Sequence, residues 1–405
     1  MMFIVLRDGS GYLQCICSNK LCNTYDALTL TTESSVCVYG TVSKVPAGKT
    51  APGGIELTCD YWELIGLAPA GGLEAVINED SNPDTLLNFR HLHIRTEELS
   101  NTLKIKSFVL RAFRDHYASR GYYEVTPPTL VQTQCEGGST LFKFDFFGDQ
   151  AYLTQTSQFY LEAATPSLGN VFSIAQSYRA EHSKTRRHLA EYTHVEAEIP
   201  FIQFEDLFLA YEDLVCDVLD RILSSDLAET VKKFNPEIKP FKRPFKRVSY
   251  TDALEYLRTH DIFKDDGSKY VFGDDIPEAP ERRMVDQIGE PVLMYGFPAS
   301  LKSFYMQKMG SDRTLTESID LLLPGVGEVI GGSMRMDVEK EIVDAYIKEG
   351  VDLAPYYWYT DLRRYGTHTS GGYGLGFERY LTWLLNRYHI RDVCFFPRFI
   401  GRCTP

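Results

Sequence analysis

The segment from Ser177 to Glu198, SYRAEHSKTRRHLAEYTHVEAE, gathers arginine, histidine, tyrosine and glutamate in a pattern that reads as two strands joined by a basic loop. Side chains alternate along a strand, so Arg179 and Glu181 point one way. Tyr192, His194, Glu196 and Glu198 share one face of the returning strand. A cation, an aromatic ring and several carboxylates on a common floor suit a nucleotide and a zwitterion as ligands. Taken alone, the same pattern also fits a solvated hairpin laced with surface ion pairs.

The elements around it decide between the two. Residues 2 to 67 alternate short β-rich runs (MFIVLR, GYLQCIC, SVCVYGTV, IELTCDYWELIGL) with turn-formers such as Asp8-Gly9 and Pro52-Gly53-Gly54. Residues 68 to 90, rich in Ala, Gly, Asn, Asp and Pro, read as a linker. From Glu97 to Arg120 the positions Leu99, Leu103, Leu110, Phe113 and Tyr117 follow helical spacing, with Gly121 as the stop. Strands and helices then intermix to the C-terminus, as in an α/β or α+β domain.

Composition agrees with a large enzyme. The 405 residues, 44% hydrophobic, exceed the ~100 to 200 residues of one domain and predict two unequal domains. No run of about 18 apolar residues and no signal-peptide pattern occurs, so nothing points to a membrane or to export. The nine cysteines are scattered and odd in number, with only Cys15 and Cys17 as close neighbours. That is no disulfide framework; reduced thiols in the cytoplasm are expected, and zinc is not. A net charge of −13 argues against nucleic acid in bulk. The loop 184–188 and the stretch FKRPFKR, residues 241–247, are nevertheless basic islands.

RAE followed by SKTRRHLAEYTHVEAE resembles motif 2 of the class II aminoacyl-tRNA synthetases, in their aspartate and asparagine subgroup. Upstream, GYYEVTPPTLVQTQCEGGSTLF resembles motif 1, closing at Pro128, and downstream GGYGLGFERYLTWLL resembles motif 3. Three motifs in family order are far more specific than one short pattern. The similarity runs from about residue 3 to 405. It implies an α+β fold: a six-stranded antiparallel sheet flanked by helices over residues 91–405, a hinge at 68–90, and an OB-fold anticodon-binding domain over 1–67. An OB barrel needs five strands and four are counted, so the missing first strand is expected before Met1, in a chain shortened at its N-terminus. By the same resemblance Phe3 stacks on, and Gln14 hydrogen-bonds, the middle anticodon base. The basic islands could face an acceptor stem, and motif 1, with Pro128 ending a strand, implies a homodimer.

Activating an amino acid with ATP is an in-line attack of a carboxylate on the α-phosphate, so the site must gather anions and neutralise developing charge. The resemblance implies that Arg179 bridges the α-phosphate and the substrate carboxylate and that Arg379 holds the γ-phosphate. Glu181 would accept from the adenine amino group, Tyr192 would stack on the purine and His188 would touch the terminal phosphates. Arg187, Leu189, Gly376, Phe377 and Glu378 complete the implied nucleotide site. Mg²⁺ takes oxygen ligands; Glu328 matches the family's metal ligand, with Asp320 assisting and Gly331 standing where some aspartate enzymes have serine. For the amino acid, the element Gln155-Thr156-Ser157-Gln158 leads to Leu161, which falls on the lysine position of aspartate enzymes. Loss of that cation disfavours a substrate carboxylate, and Glu162 would accept from a side-chain amide. Arg335 would donate to the amide oxygen, Glu196 would hold the α-ammonium, Gln158 would orient the substrate and Glu136 would cover the pocket. The expectation is a ligase that forms asparaginyl-adenylate and passes the acyl group to tRNA(Asn). An aspartate-specific ligase, an ammonia-dependent asparagine synthetase and a catalytically silent relative are the alternatives.

Other patterns fail. AGKT at 47–50 lacks the first glycine of a phosphate loop, replaced by Ser43, and GVGEVIGG has the wrong spacing for a dinucleotide fingerprint. His91, His93, His260 and His389 have no metal-ligand spacing, and PYYWYTD, residues 355–361, reads as core.

Overall fold

The computed structural model of the chain describes every residue except 79, 136–139, 183, 184 and 312. It comprises two compact units, Met1–Thr96 and Glu97–Pro405. The first is built on four strands, β1 (Met2–Arg7), β2 (Tyr12–Cys17), β3 (Ser35–Lys44) and β4 (Ile55–Gly66), in the order β1-β2-β4-β3. Alternation along β1 and β2 turns Ile4, Leu6, Cys15 and Cys17 onto the core that Leu57, Cys59 and Trp62 complete. The Trp62 indole N–H is satisfied by the carbonyl of Leu21 at 3.1 Å. Burial pushes the Cys17 thiol up to about 12, and all nine cysteines are free. On the opposite face β1 and β2 pair Phe3 with Ile16 and Val5 with Gln14. Phe3 is 57% exposed, so it is no core residue, and it shares that outer face with Gln14, whose amide donates to Glu56 at 3.3 Å. The four strands match the sequence count, and among the described residues they do not close into a barrel. The stretch read as a linker carries a helix, Pro83–Asn88, capped by Asn82, which accepts from Thr85 N at 2.9 Å.

In the second unit the strands are β5 (Tyr123–Glu124), β6 (Leu130–Val131), β7 (Lys143–Phe146), β8 (Asp149–Leu153), β9 (Val171–Tyr178), β10 (Glu191–Pro200), β11 (Lys246–Ser249), β12 (Val292–Tyr295), β13 (Lys308–Met309), β14 (Leu315–Thr316), β15 (Ser318–Leu323), β16 (Gly327–Met334) and β17 (Ser370–Gly376). The main sheet has eight strands in the order β11-β12-β15-β16-β17-β10-β9-β5. The expected six antiparallel strands are its centre, β12 to β9. The two unforeseen strands, β11 and β5, add parallel edges. They are four and two residues long, too short to carry a periodic signal. Pro128 does not end a strand: β5 stops at Glu124, and Pro128 lies in the extended stretch before β6.

One face of this sheet is buried under helices. The helix Phe204–Leu223 opens with a capping box between Gln203 and Asp206 and buries Leu207, Tyr211, Leu214, Val215, Leu219 and Ile222. Each such side chain contributes about 1.5–3 kcal/mol when fully buried. In the helix Glu97–Ser119 the buried stripe is Leu99, Ile105, Val109, Phe113 and Tyr117; Leu103 and Leu110 sit at its margin. Val195, Ala197 and Ile199 of β10 face that core. The alternate residues of β10, Tyr192, His194, Glu196 and Glu198, therefore face the other way, onto the sheet's polar floor. Of the basic islands, FKRPFKR is largely committed internally: Arg247 forks onto Glu205 at 2.7 and 2.8 Å, Arg243 reaches Asp213 at 3.5 Å, and Phe245 is buried. No helix among the described residues is long and apolar enough to cross a membrane.

Candidate active site

The hairpin β9–β10 forms the floor of a cavity of about 410 Å³. β9 ends at Tyr178, so Arg179 and Glu181 stand in the loop rather than on the strand. The ladder still reaches Arg179, whose N–H bonds Ala190 O at 2.9 Å and so fixes its entry into the cavity. Beside β10 runs β17, with Glu196 opposite Gly374 and Glu198 opposite Gly372. These glycines are obligatory by close approach: a Cβ at Gly372 would lie 1.9 Å from Glu198 Oε2, and one at Gly374 2.2 Å from His194 Nε2.

At one end of the cavity, Arg335 lays its Nε and Nη2 on Glu198, each at 2.9 Å, and donates from Nη1 to Ser333 Oγ at 3.0 Å. Both partners are buried. Burial pushes the Glu198 carboxyl up and the bidentate guanidinium pulls it back, the arrangement that makes a buried pair tolerable. Leu161 supplies an apolar wall, 1% exposed. Glu196 accepts from Thr156 Oγ1 and from Ser157 N at 2.8 Å, leaving a carboxylate edge toward the cavity. Gln158 lines the same end, and its amide donates to Glu162 at 3.0 Å. Glu162 itself does not line this cavity. Its oxygens accept from Tyr359 OH at 3.0 Å and from Arg363 at 2.6 Å, and it stands behind Gln158.

At the other end, Arg379 donates to the carbonyl and carboxylate of Glu328 at 3.1 and 3.2 Å. Burial works to raise Glu328, but Arg379, Arg187 and Lys302 outweigh it and hold the carboxyl at about 2. Arg187 reaches Glu281 Oε1 at 3.3 Å, and its buried Nε makes no hydrogen bond within the described residues, an orphan donor that a phosphate oxygen would satisfy. His188, 3.8 Å from Glu181, is lowered by burial and then by Arg379. Tyr192 packs with Leu189, Ile390 and Cys394 in an apolar slot suited to a flat ring. Asp320 Oδ2 accepts from Lys302 at 2.7 Å, and burial pushes this carboxyl up to about 6. Asp320 and Glu328 converge over Gly331, where a Cβ would fall 3.0 Å from Glu328 and 3.3 Å from Asp320. Two carboxylates with open space between them fit a hard cation that draws its remaining ligands from phosphate and water. Gly331 adds no side-chain ligand, and no larger cluster of metal-binding side chains occurs among the described residues.

The model of the family described as tRNA synthetases class II (D, K and N) matches residues 82–400. This chain belongs to that family. A second model, the OB-fold nucleic acid binding domain, matches residues 1–65. The cytoplasmic asparagine–tRNA ligase of Homo sapiens is 62% identical over 405 residues, covering 100% of this chain and 74% of the relative. The asparaginyl-tRNA synthetase of Entamoeba histolytica in complex with asparaginyl-adenylate superimposes with a TM-score of 0.94 at 45% identity, covering 100% of this chain and 92% of that one. The Pyrococcus horikoshii enzyme with asparaginyl-adenylate follows at 0.91 and 36%, with the same coverage.

For a class II synthetase of this group, most residues singled out in the sequence meet in one cavity: Arg179, Glu181, Arg187, His188, Leu189, Tyr192, Glu196, Glu328, Arg335, Gly376 and Arg379 all line it. Phe377 does not; its ring is fully buried and meets Phe113 edge-on at 6.0 Å. Glu378 does line the cavity, and its carboxylate accepts from Thr193 N at 2.9 Å and Lys106 Nζ at 2.9 Å. Glu136 lies outside the described residues. Sequence reasoning missed Lys302, Glu281, Arg363 and the role of Glu198, none of which stands in a recognised motif with its partner.

His389 shows why a lone histidine need not be a ligand. Its Nδ1 accepts from Arg391 N at 3.2 Å and caps the short turn Ile390–Val393 that closes the Tyr192 slot. Burial, then Arg391 and Arg186, lower it to about 4. The unfolded side chain titrates near ~6.5 and so binds more protons between the two values. This contribution to stability is complete above about pH 6.5 and is lost as pH falls toward 4. His389 is only half-buried, which keeps the effect modest. His389→Asn retains a capping acceptor without the titration. Its melting temperature is expected to fall less between pH 7 and pH 5 than that of the unaltered protein; an equal fall would move the acid sensitivity elsewhere.

Proposed function

We propose that the chain is an asparagine–tRNA ligase, which activates asparagine with ATP to asparaginyl-adenylate, releases diphosphate and transfers the acyl group to tRNA(Asn). The observation that carries the choice of amino acid is the charge balance of the Arg335 end. The guanidinium there is already neutralised by Glu198, and the neighbouring wall is Leu161. A substrate carboxylate would enter with no free cation to meet it, whereas a neutral amide needs only a donor for its oxygen and an acceptor for its nitrogen. Arg335 Nη1 supplies the donor, and Gln158, held by Glu162, supplies an amide that serves either role.

In the activation step the asparagine carboxylate attacks the α-phosphate in line. Arg179, anchored at the end of the β9 ladder, spans the attacking carboxylate and the α-phosphate, while Arg379, Arg187 and His188 take the trailing phosphates. Tyr192 holds the purine and Glu181 accepts from its amino group. Glu196 binds the α-ammonium. No side chain acts as a nucleophile; positioning and preorganised charge lower the barrier. A divalent cation, Mg²⁺, held by Glu328 and Asp320 would neutralise phosphate oxygens as charge builds on the leaving diphosphate. The exposed face carrying Phe3 and Gln14 reads the anticodon by stacking and edge contacts. A homodimer in the cytoplasm completes the reading, in keeping with the motif 1 segment and the relatives' names.

Asparagine-dependent ATP–diphosphate exchange, run in parallel with aspartate and followed by charging of tRNA(Asn), tests the proposal. Exchange should favour asparagine by at least about 100-fold in kcat/KM, the scale on which a site with committed polar groups rejects the wrong partner. Exchange with aspartate at a similar rate, or with neither amino acid, would overturn it.

A further inference from the structure

The phosphate end of the cavity is closed on itself electrically. Each acid there already has a cation: Glu328 holds Arg379 at 3.2 Å, Glu281 holds Arg187 at 3.3 Å, and Asp320 holds Lys302 at 2.7 Å. The arginines are accounted for as phosphate ligands. Lys302 is not. Its stem is largely buried, its ammonium rests 3.8 Å from the centre of the Phe297 ring, and its one ion-pair partner among the described residues is a carboxylate assigned above to the divalent cation. A cation that close to Asp320 Oδ2 competes for the negative charge of the carboxylate whose other oxygen, Oδ1, faces Glu328 across Gly331.

Resting on the nucleotide-and-metal reading of this site, we propose that Lys302 is a built-in counter-ion that withholds Asp320 from the divalent cation until a nucleotide enters, so that metal and nucleotide load as a pair. The triphosphate is the anion that can relieve it. Lysine carries three donors on a flexible stem, and Lys302 lines the same cavity as Arg379 and Arg187. When phosphates occupy that space, Lys302 can turn from Asp320 to a phosphate oxygen, and the freed carboxylate joins Glu328 in binding the metal. The exchange of partners leaves no charge uncompensated at either stage. Binding linkage is reciprocal, so the metal must raise nucleotide affinity by the same factor as the nucleotide raises metal affinity.

The test is an equilibrium titration with Mn²⁺, following the free ion by electron paramagnetic resonance, with and without saturating α,β-methylene-ATP. The unaltered protein should bind Mn²⁺ at least about 10-fold more tightly with the nucleotide present, within the usual span of coupling factors. Lys302→Met should bind Mn²⁺ alone at least about 10-fold more tightly than the unaltered protein and show a smaller nucleotide effect. Lys302→Arg, which keeps the charge, should resemble the unaltered protein. If the methionine variant does not fold, Lys302→Gln, which keeps a donor for Asp320, takes its place; the coupling in the unaltered protein stands without either. Equal Mn²⁺ affinity with and without nucleotide, or no gain in a folded charge-removing variant, overturns the role of Lys302 and leaves the site reading intact. Failure to bind Mn²⁺ even with nucleotide removes the site reading, and the inference with it.

Discussion

Arg379→Ala is expected to lose at least about 100-fold in asparagine-dependent ATP–diphosphate exchange, the scale for removing one preorganised charge stabiliser. The expectation rests on what Arg379 does in the fold as well as on its charge. It reaches Glu328 through both carbonyl and carboxylate, and it is the largest favourable influence holding that carboxyl ionised against burial. Removing it therefore withdraws the cation proposed to hold the trailing phosphates and raises the proton affinity of Glu328, the carboxyl proposed for the metal, together. The loss should fall on kcat as well as on KM for ATP, because charge builds on the trailing phosphates as the α-phosphate is attacked. Arg379→Lys restores a point charge without the planar fork and should recover only part of the rate. Exchange near that of the unaltered protein in Arg379→Ala would remove the residue from the mechanism.

Arg335→Met has the largest expected effect on stability. The substitution strands Glu198, a fully buried carboxylate, and breaking such a pair from one side costs about 3–5 kcal/mol. Exchange with asparagine should disappear, since the donor proposed for the amide oxygen goes with the guanidinium. The two consequences separate in a double variant. Adding Glu198→Gln removes the stranded charge and should recover much of the stability, as expected for coupled neighbours, without restoring exchange. Denaturant titration reads the first effect and the exchange assay the second. If the single variant unfolds like the unaltered protein, the pair is not the structural unit described above.

What could be read from the sequence, and what could not, follows from how each feature is encoded. The β9–β10 hairpin was legible because period-2 alternation puts Tyr192, His194, Glu196 and Glu198 on one face whatever surrounds them. Arg179 and Glu181 were placed on the strand because the ladder's end at Tyr178 leaves no mark in residue type. Partnerships were harder still. Glu198 and Arg335 are 137 residues apart, and Glu162 and Arg363 are 201 apart. No local pattern announces such a pair, so nothing in the sequence signals that the Glu162 oxygens accept from Gln158, Tyr359 and Arg363. Phe377 leaves the cavity for a related reason: motif 3 names it two residues before Arg379, but on a helix residues two apart do not share a face, and its ring turns into the core. In the helix Glu97–Ser119, β-branched Ile105 and Val109 took core places that leucine spacing had assigned to Leu103 and Leu110.

The glycines of β17 bear on drug resistance. An inhibitor laid flat across the strand Ser370–Gly376 would press on backbone at Gly372 and Gly374, where even alanine would collide with Glu198 or His194. A target cell ordinarily escapes such a compound by swapping the side chain beneath it. Here there is no side chain to swap, and the smallest available change dismantles the floor of the cavity itself.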